Sequence, residues 1–427
     1  MKQWFQKIER FFLLFFLAAI PFQARIILYS SSWYFNEYVS FALYGTDLLL
    51  AVILILWLWQ KRGSFAWPTW SSVALTLFVL VAGLSLIGLL KPEIGWYRFG
   101  KLTEGVLLYF YMRHRSFEVA SPAAMLMAVG LGGVFQAGLG IVQFIRQADI
   151  NLQYLGESVL RPDMRGVAVF YNEAGEKIMR AYGTTPHPNI LATYLFLGLG
   201  SLYILYVRYK KRVNDRIWHV TYAIILFGFF ATFSRTIIFA WVLLVSAGII
   251  FWLGRYRGDL EKLWRMALTT VAVGGLFAVL FWGDIVGRLT IAPTDETIVL
   301  RQYYNSQALH SHQKISLGLG IGNFVPWLMK YRPGLPRELY QPAHNIYLLI
   351  YAELGILGIA AFISWLALII ISFFRAAKFD LERLFIAGMF VSLIFIGVFD
   401  HFFWTLQQGI LMWWGIAGLV AHYGKSR

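Results

Sequence analysis

Long apolar runs separated by short polar turns make up most of the chain. A helix that crosses a bilayer needs about 20 largely apolar residues, and the pattern supplies about twelve runs near that length. The first five are 11–27, 41–59, 72–90, 97–112 and 123–144, and a polar stretch, 146–186, follows them. Runs 187–207, 218–232, 236–253 and 264–282 come next, and a second polar stretch covers 284–343. The last three are 346–374, 384–399 and 406–421, the first of them longer than a span needs, with a break expected near Gly355. The expected organisation is one polytopic membrane domain, 1–427, with its core in the bilayer.

Basic residues orient these runs, because loops rich in Lys and Arg stay on the inner side. With the N-terminus inside, the short inner segments hold Lys2, Lys7, Arg10, Lys61, Arg62, Arg113 and Arg115. They also hold Arg208, Lys210, Lys211, Arg212, Arg216, Arg255, Arg257, Lys262, Arg265, Arg375, Lys378, Arg383, Lys425 and Arg427. That is more than half of the 37 Lys and Arg. Both termini are therefore expected inside, and both long polar loops outside. The first run, preceded by Lys2, Lys7 and Arg10 and followed by no small-residue cleavage site, reads as an uncleaved signal anchor.

Composition narrows the class. Charged residues are 14% of the chain, against roughly 25% in soluble domains. The chain has no cysteine, which excludes disulfides, iron–sulfur clusters and thiolate zinc sites. Its net charge of +15 reflects topology, anionic lipid or an anionic substrate in a chain this apolar, rather than nucleic acid. Aromatic residues such as Trp33, Tyr34, Trp67, Trp96, Trp413 and Trp414 read mostly as an interfacial belt.

Sixteen or so basic residues remain outside by this topology, where insertion does not require them. Long loops tolerate charge, which accounts for many of them, Lys314 among them. It does not account for Arg235, in the tight Ser234–Arg235 turn between two runs, or for the short Lys91 to Lys101 connection. A guanidinium is a planar, permanently charged fork that matches phosphate oxygens, so this outer cluster points to a phosphate or pyrophosphate ligand. Arg180 has no structural duty visible in the sequence and belongs with it. His187 and Asn189, in the Arg180–Asn189 segment RAYGTTPHPN, read first as helix caps, with Pro188 suited to the first helical turn. The segment Gly318–Phe324, GLGIGNF, reads either as a plain glycine turn or as a turn whose N–H groups face an anion.

His344 stands where the second outer loop becomes a membrane helix, in QPAHNIYLLIYAELGILG. The positive end of a helix dipole disfavours protonation, so this imidazole is expected to stay neutral and able to accept a proton. No D-x-D pair, H-E-x-x-H or Walker A sequence is present, which leaves a metal-dependent transferase, a zincin and ATP-driven chemistry without support. Asp47, Glu104 and Glu353 fall in or near apolar runs and read as buried pairing partners rather than a proton relay.

Arg180-x-x-Gly183-Thr184, the turn Ser234–Arg235, Arg301 ahead of the Gly-rich segment, and His344-Asn345-x-x-Leu348 before Glu353-x-Gly355 occur in that order, all facing outward. In these the chain resembles the O-antigen ligase and polymerase superfamily of bacterial envelope glycosyltransferases, over roughly 180–358 and in the number of runs. Within it the chain looks most like the WaaL-type O-antigen ligase. The resemblance implies transfer of a glycan from undecaprenyl pyrophosphate to the lipid A-core oligosaccharide, inverting, on the periplasmic face of the bacterial inner membrane, with no metal and no cofactor. It implies His344 as the base, with Arg180, Arg235 and Arg301 on the pyrophosphate; Arg288 exchanges with Arg301 on spacing, and His187 and Asn345 are secondary candidates.

The expected fold is all-α integral membrane, GT-C-like, with two long periplasmic loops at 146–186 and 284–343. The nearest rivals are an O-antigen polymerase or a protein-glycosylating ligase of the same superfamily. A polytopic transporter or flippase is the rival from another class, but the chain lacks the repeated halves common in transporters.

Overall fold

The structure is a computed structural model that describes residues 2–32, 34–60, 69–209, 214–255, 260–289, 296–311, 318–376 and 380–424. Trp33, Lys61, Arg62, Trp67, Lys210, Lys211, Arg212, Arg257, Lys314, Lys378, Lys425 and Arg427 lie outside the described residues. A helix of at least 15 residues underlies every apolar run. In order these are α1 (Lys2–Ala19), α2 (Gly45–Gln60), α3 (Trp70–Leu84) and α4 (Pro92–His114), then after the short α5 (Ser116–Val119), α6 (Pro122–Arg146). Next come α7 (Pro188–Arg208), α8 (Asp215–Ala231), α9 (Arg235–Arg255) and α10 (Leu260–Leu280). The second polar stretch carries α11 (Trp282–Leu289), α12 (Glu296–His310) and α13 (Phe324–Tyr331). The chain closes with α14 (Ile346–Ala376), α15 (Leu381–Ile396), the short α16 (Phe402–Thr405) and α17 (Gln407–Tyr423).

Among the described residues, α6, α7 and α14 are long and apolar enough to cross a membrane. The pair α10 and α11, bent by 88°, makes a fourth if it is one span, and α2, α3 and most of α9 are shorter apolar helices. The chain is a mostly helical membrane protein. Helix α7 is its centre, 94% buried over its most apolar stretch, because small residues let its neighbours close in. Gly133 of α6 faces Gly198 of α7 at their crossing, with Ile225 of α8 packed against both.

Two small hairpins add to the expected all-α fold. β1 (Arg25–Ser30) pairs antiparallel with β2 (Ser40–Tyr44), and β3 (Val169–Tyr171) with β4 (Lys177–Met179). The first explains why α1 stops at Ala19 rather than continuing through the apolar run to Ile27: Pro21 interrupts, and RIILYS pairs with SFALY as strand.

Helix α14 is broken at Gly355, whose φ of 66° and ψ of −168° leave the helical region. The break frees carbonyls that lipid cannot satisfy. Leu319 and Gly320 donate to the carbonyls of Ala352 and Glu353, at 2.9 and 2.8 Å. The Gly-rich segment therefore docks on the break, so closely that a Cβ on Gly318 would lie 2.6 Å from the Glu353 carbonyl. The segment also faces a carboxyl of the chain's own, Glu353, which accepts from Gly322 N at 2.9 Å and Trp404 Nε1 at 2.8 Å.

Other buried charges are also paired internally. Lys101 bridges Asp47 at 2.6 Å and Glu104 at 3.1 Å. Arg98 donates to the carbonyls of Thr405 and Glu37, and Lys91 approaches Glu93 at 3.9 Å. The Lys91 to Lys101 connection, expected to need an outside anion, thus finds its partners within the fold. Trp413 and Trp414 are likewise not belt residues: both are buried, against Phe362 and Trp365 respectively. Trp96 remains exposed.

Candidate active site

Three helix starts and one turn meet at the site. At the start of α7, His187 is the N-cap, its Nδ1 accepting from Asn189 N at 3.1 Å, and Pro188 takes the first helical position. Asn189 then projects from the first turn as a hub. Its Oδ1 accepts from Arg180 at 2.7 Å and from Ser234 Oγ at 3.0 Å, and its Nδ2 donates to Asp400 Oδ2 at 2.7 Å. Arg180 also donates through Nε to the Thr232 carbonyl at 2.6 Å and is 5% exposed. It therefore has the structural duty that the sequence did not reveal.

The α8–α9 turn contains Phe233 at φ 46°, a left-handed conformation that is costly for an aromatic residue. Packing of its ring on Phe144, Phe170 and Phe277 holds it there. The tight turn brings Ser234 to Asn189 and sets Arg235 at the first position of α9, where its guanidinium donates to the Arg288 carbonyl at 3.2 Å. Arg288 in turn donates to the Phe233 carbonyl at 3.4 Å and lies over the Phe170 ring.

Asn345 caps α14, its Oδ1 accepting from Tyr347 N and Leu348 N at 2.9 and 3.1 Å. His344 precedes it, with 19% of its side chain exposed and Nδ1 4.0 Å from Asp400 Oδ1. That nitrogen is buried and has no hydrogen-bond partner among the described residues. Asp400 Oδ1 accepts from His401 N at 2.8 Å, and His401 Nδ1 pairs with Thr405 Oγ1 at 2.7 Å. The His344 ring centre lies 4.9 Å from that of His401 and 6.0 Å from that of Tyr304. Arg301 is three residues before Tyr304 on α12, hence on the same face of that helix.

Electrostatics follow from burial and from these cations. His344 is pushed down to about 3, by burial first and then by His401 and Arg301, with Asp400 opposing. The expectation of a neutral imidazole thus stands on burial more than on the helix dipole. Burial and Arg180 lower His187 to about 3, and burial and Arg301 lower His401 to about 4 against the pull of Asp400. Burial works to raise Asp400, but His401, His344, His187 and Arg301 hold it down to about 2. Arg180 falls to about 9, from burial and then from Arg288 and Arg301. The arrangement offers one partly exposed neutral base beside a group of guanidinium cations.

A pH dependence of stability follows, with its sign fixed. Between about 6.5 and 4 the three histidines are neutral in the fold, whereas in the unfolded chain they take up protons. The unfolded state binds more protons there, so stability rises with pH. The unfolding midpoint in detergent is expected to climb from pH 4 to pH 7 and to climb less in His401→Gln; an unchanged slope in that variant would refute this origin.

The sequence reading missed Asp400, His401 and Tyr304, and took Asn189 for a cap. Asp400–His401 lies between the apolar runs ending at 399 and beginning at 406, a polar pair in a short connection like Ser234–Arg235.

Residues 220–363 match the family model described as O-antigen ligase. The match includes Arg235, Arg288, Arg301, His344 and Asn345, and leaves Arg180, His187, Asn189, Asp400 and His401 outside it. No curated protein matches the chain in a sequence comparison.

Proposed function

We propose that this chain, a member of the O-antigen ligase/polymerase superfamily, is an O-antigen ligase. It moves a glycan from an undecaprenyl pyrophosphate donor to the lipid A-core oligosaccharide on the periplasmic face of the bacterial inner membrane, with its twelve helices spanning and both termini inside. What supports the reading is a partly exposed His344 on which the charge of Arg301 acts, with Arg301 and Arg288 also acting on Arg180, and Arg180 joined through Asn189 to Ser234 in the turn that carries Arg235.

In this mechanism His344 takes the proton of the acceptor hydroxyl. Asp400, 4.0 Å from Nδ1, favours the tautomer with its proton on Nδ1, which leaves Nε2 to accept. That distance is longer than a hydrogen bond, and such contacts commonly tighten when substrate binds. The acceptor oxygen then attacks the anomeric carbon as the bond to pyrophosphate breaks, inverting the centre. Guanidinium groups neutralise the charge that collects on the departing pyrophosphate, in a partly dry site where such stabilisation is strongest. Arg301 and Arg235 would meet the pyrophosphate, with Arg288 beside them. Arg180 holds Asn189 and adds its charge from behind.

The test is reconstitution of the purified protein with lipid-linked glycan and lipid A-core, with the product read on a gel. A glycan attached to core is the expected result, unaffected by chelator. Elongation of the lipid-linked glycan instead would make the chain a polymerase, and movement of donor across the bilayer without a new glycosidic bond would make it a transporter.

A further inference from the structure

The same corner of the fold holds a second arrangement, which shares His344 and Asp400 with the transfer reaction. One ring nitrogen of His344, one ring nitrogen of His401 and one carboxylate oxygen of Asp400 lie within 4.8 Å of one another. Transition metals bind imidazole only when it is neutral and carboxylate only when it is ionised. At neutral pH imidazole and carboxylate side chains are ordinarily in those forms.

Outer partners of the kind that orient metal ligands are also in place. Asn189 Nδ2 fixes one oxygen of Asp400 at 2.7 Å, leaving the other turned toward His344. Thr405 Oγ1 takes Nδ1 of His401 at 2.7 Å, so the nitrogen left to ligate is Nε2. Nδ1 of His344 is buried, lacks a hydrogen-bond partner among the described residues, and faces Asp400 Oδ1 at 4.0 Å. His187 is not among the residues whose ligand atoms lie within that distance of one another.

We propose that His344, Asp400 and His401 form a zinc-class transition-metal site with three protein ligands and an open fourth position. Two imidazoles and one carboxylate select zinc-like ions over magnesium or calcium, which prefer oxygen-only shells. Metal–ligand bonds of about 2.0–2.2 Å in a tetrahedral site put ligand atoms about 3.4 Å apart. The His344–Asp400 separation must therefore shrink modestly, within reach of side-chain rotation. Arg301 and Arg180 oppose a dication here, so occupancy needs an ion that binds imidazole strongly.

The consequence for transfer rests on the reading of His344 as the base. A neutral imidazole carries one proton, and a metal on Nδ1 forces that proton onto Nε2. Nε2 then can no longer accept from a hydroxyl. The metal is thus an inhibitor and not a cofactor.

Cobalt(II) is the spectroscopic probe, added to the full-length protein in detergent after chelator treatment. Visible d–d bands that saturate at one ion per chain, vanish on adding zinc and are lost in both His401→Gln and Asp400→Asn support the site. Variants are checked first for the wild-type elution volume and unfolding midpoint. Absence of the bands in the wild type, or bands unchanged in both variants, overturns the proposal. In the reconstituted assay, saturating zinc is expected to cut transfer by about a hundredfold, the lower end of what a positioned base contributes, and chelator to restore it. Bands with unimpaired transfer keep the site but overturn the assignment of His344 as base. Stimulation by zinc overturns the inhibitory role.

Discussion

His344→Ala is expected to bind the lipid-linked donor as the wild type does and to transfer about 10²–10⁴-fold more slowly, the range a positioned general base contributes. The separation of binding from turnover follows from the geometry. The imidazole Nδ1 makes no hydrogen bond among the described residues, and its nearest acidic partner is 4.0 Å away, so its removal leaves no donor or acceptor of the fold stranded. The hub at Asn189, with Arg180, Ser234 and Asp400 bonded to it, does not pass through His344. Donor affinity, measured with a lipid pyrophosphate in detergent, should therefore hold while single-turnover transfer falls. The wild-type rate should also show no ionisation near the ordinary histidine value, because His344 is held down to about 3. Wild-type turnover in the alanine variant would remove the imidazole from the chemistry altogether.

The helices were legible because each rests on a run of apolar residues, and even the break at Gly355 was visible as excess length around a glycine. Where the reading went astray, hydropathy was the reason. RIILYS is as apolar as a helix, and only its antiparallel partner 10–20 residues further on makes it a strand. Trp413 and Trp414 carry an interfacial composition, yet neighbours on α14 bury them. Site residues divide along the same line. His344, Asn345 and Arg235 stand at helix starts that the pattern locates. The partner of Asn189 is Asp400, 211 residues away, and no spacing rule reaches across that distance. Arg180 was assigned to a ligand by elimination, and its actual bonds to Thr232 and Asn189 were invisible for the same reason.

That division also predicts which arginine matters most to the reaction and least to the fold. Arg180 is buried and bonded twice within the protein, Arg235 is bonded to the Arg288 carbonyl, and Arg288 is seated on Phe170 and the Phe233 carbonyl. Arg301, half-buried on α12, acts instead through its charge, which depresses the proton affinity of Arg180, His187, His344, His401 and Asp400 together. A cation felt at all five positions is placed to be felt by a pyrophosphate among them. Arg301→Ala is expected to lower turnover by about 10²–10³-fold, the loss of roughly 2.7–4 kcal/mol that one preorganised charge-stabilising donor supplies, with its unfolding midpoint unchanged. Arg301→Lys should recover part of the rate, since it restores the charge without the planar fork. Arg180→Ala should instead lower the unfolding midpoint, because it strands the Thr232 carbonyl and one acceptor site on Asn189. Wild-type kinetics in both Arg301→Ala and Arg235→Ala would leave the departing pyrophosphate without its proposed partners and would overturn the clamp. Loss of stability in Arg301→Ala to match Arg180→Ala would make α12 a packing element rather than the arm that brings charge to the reaction.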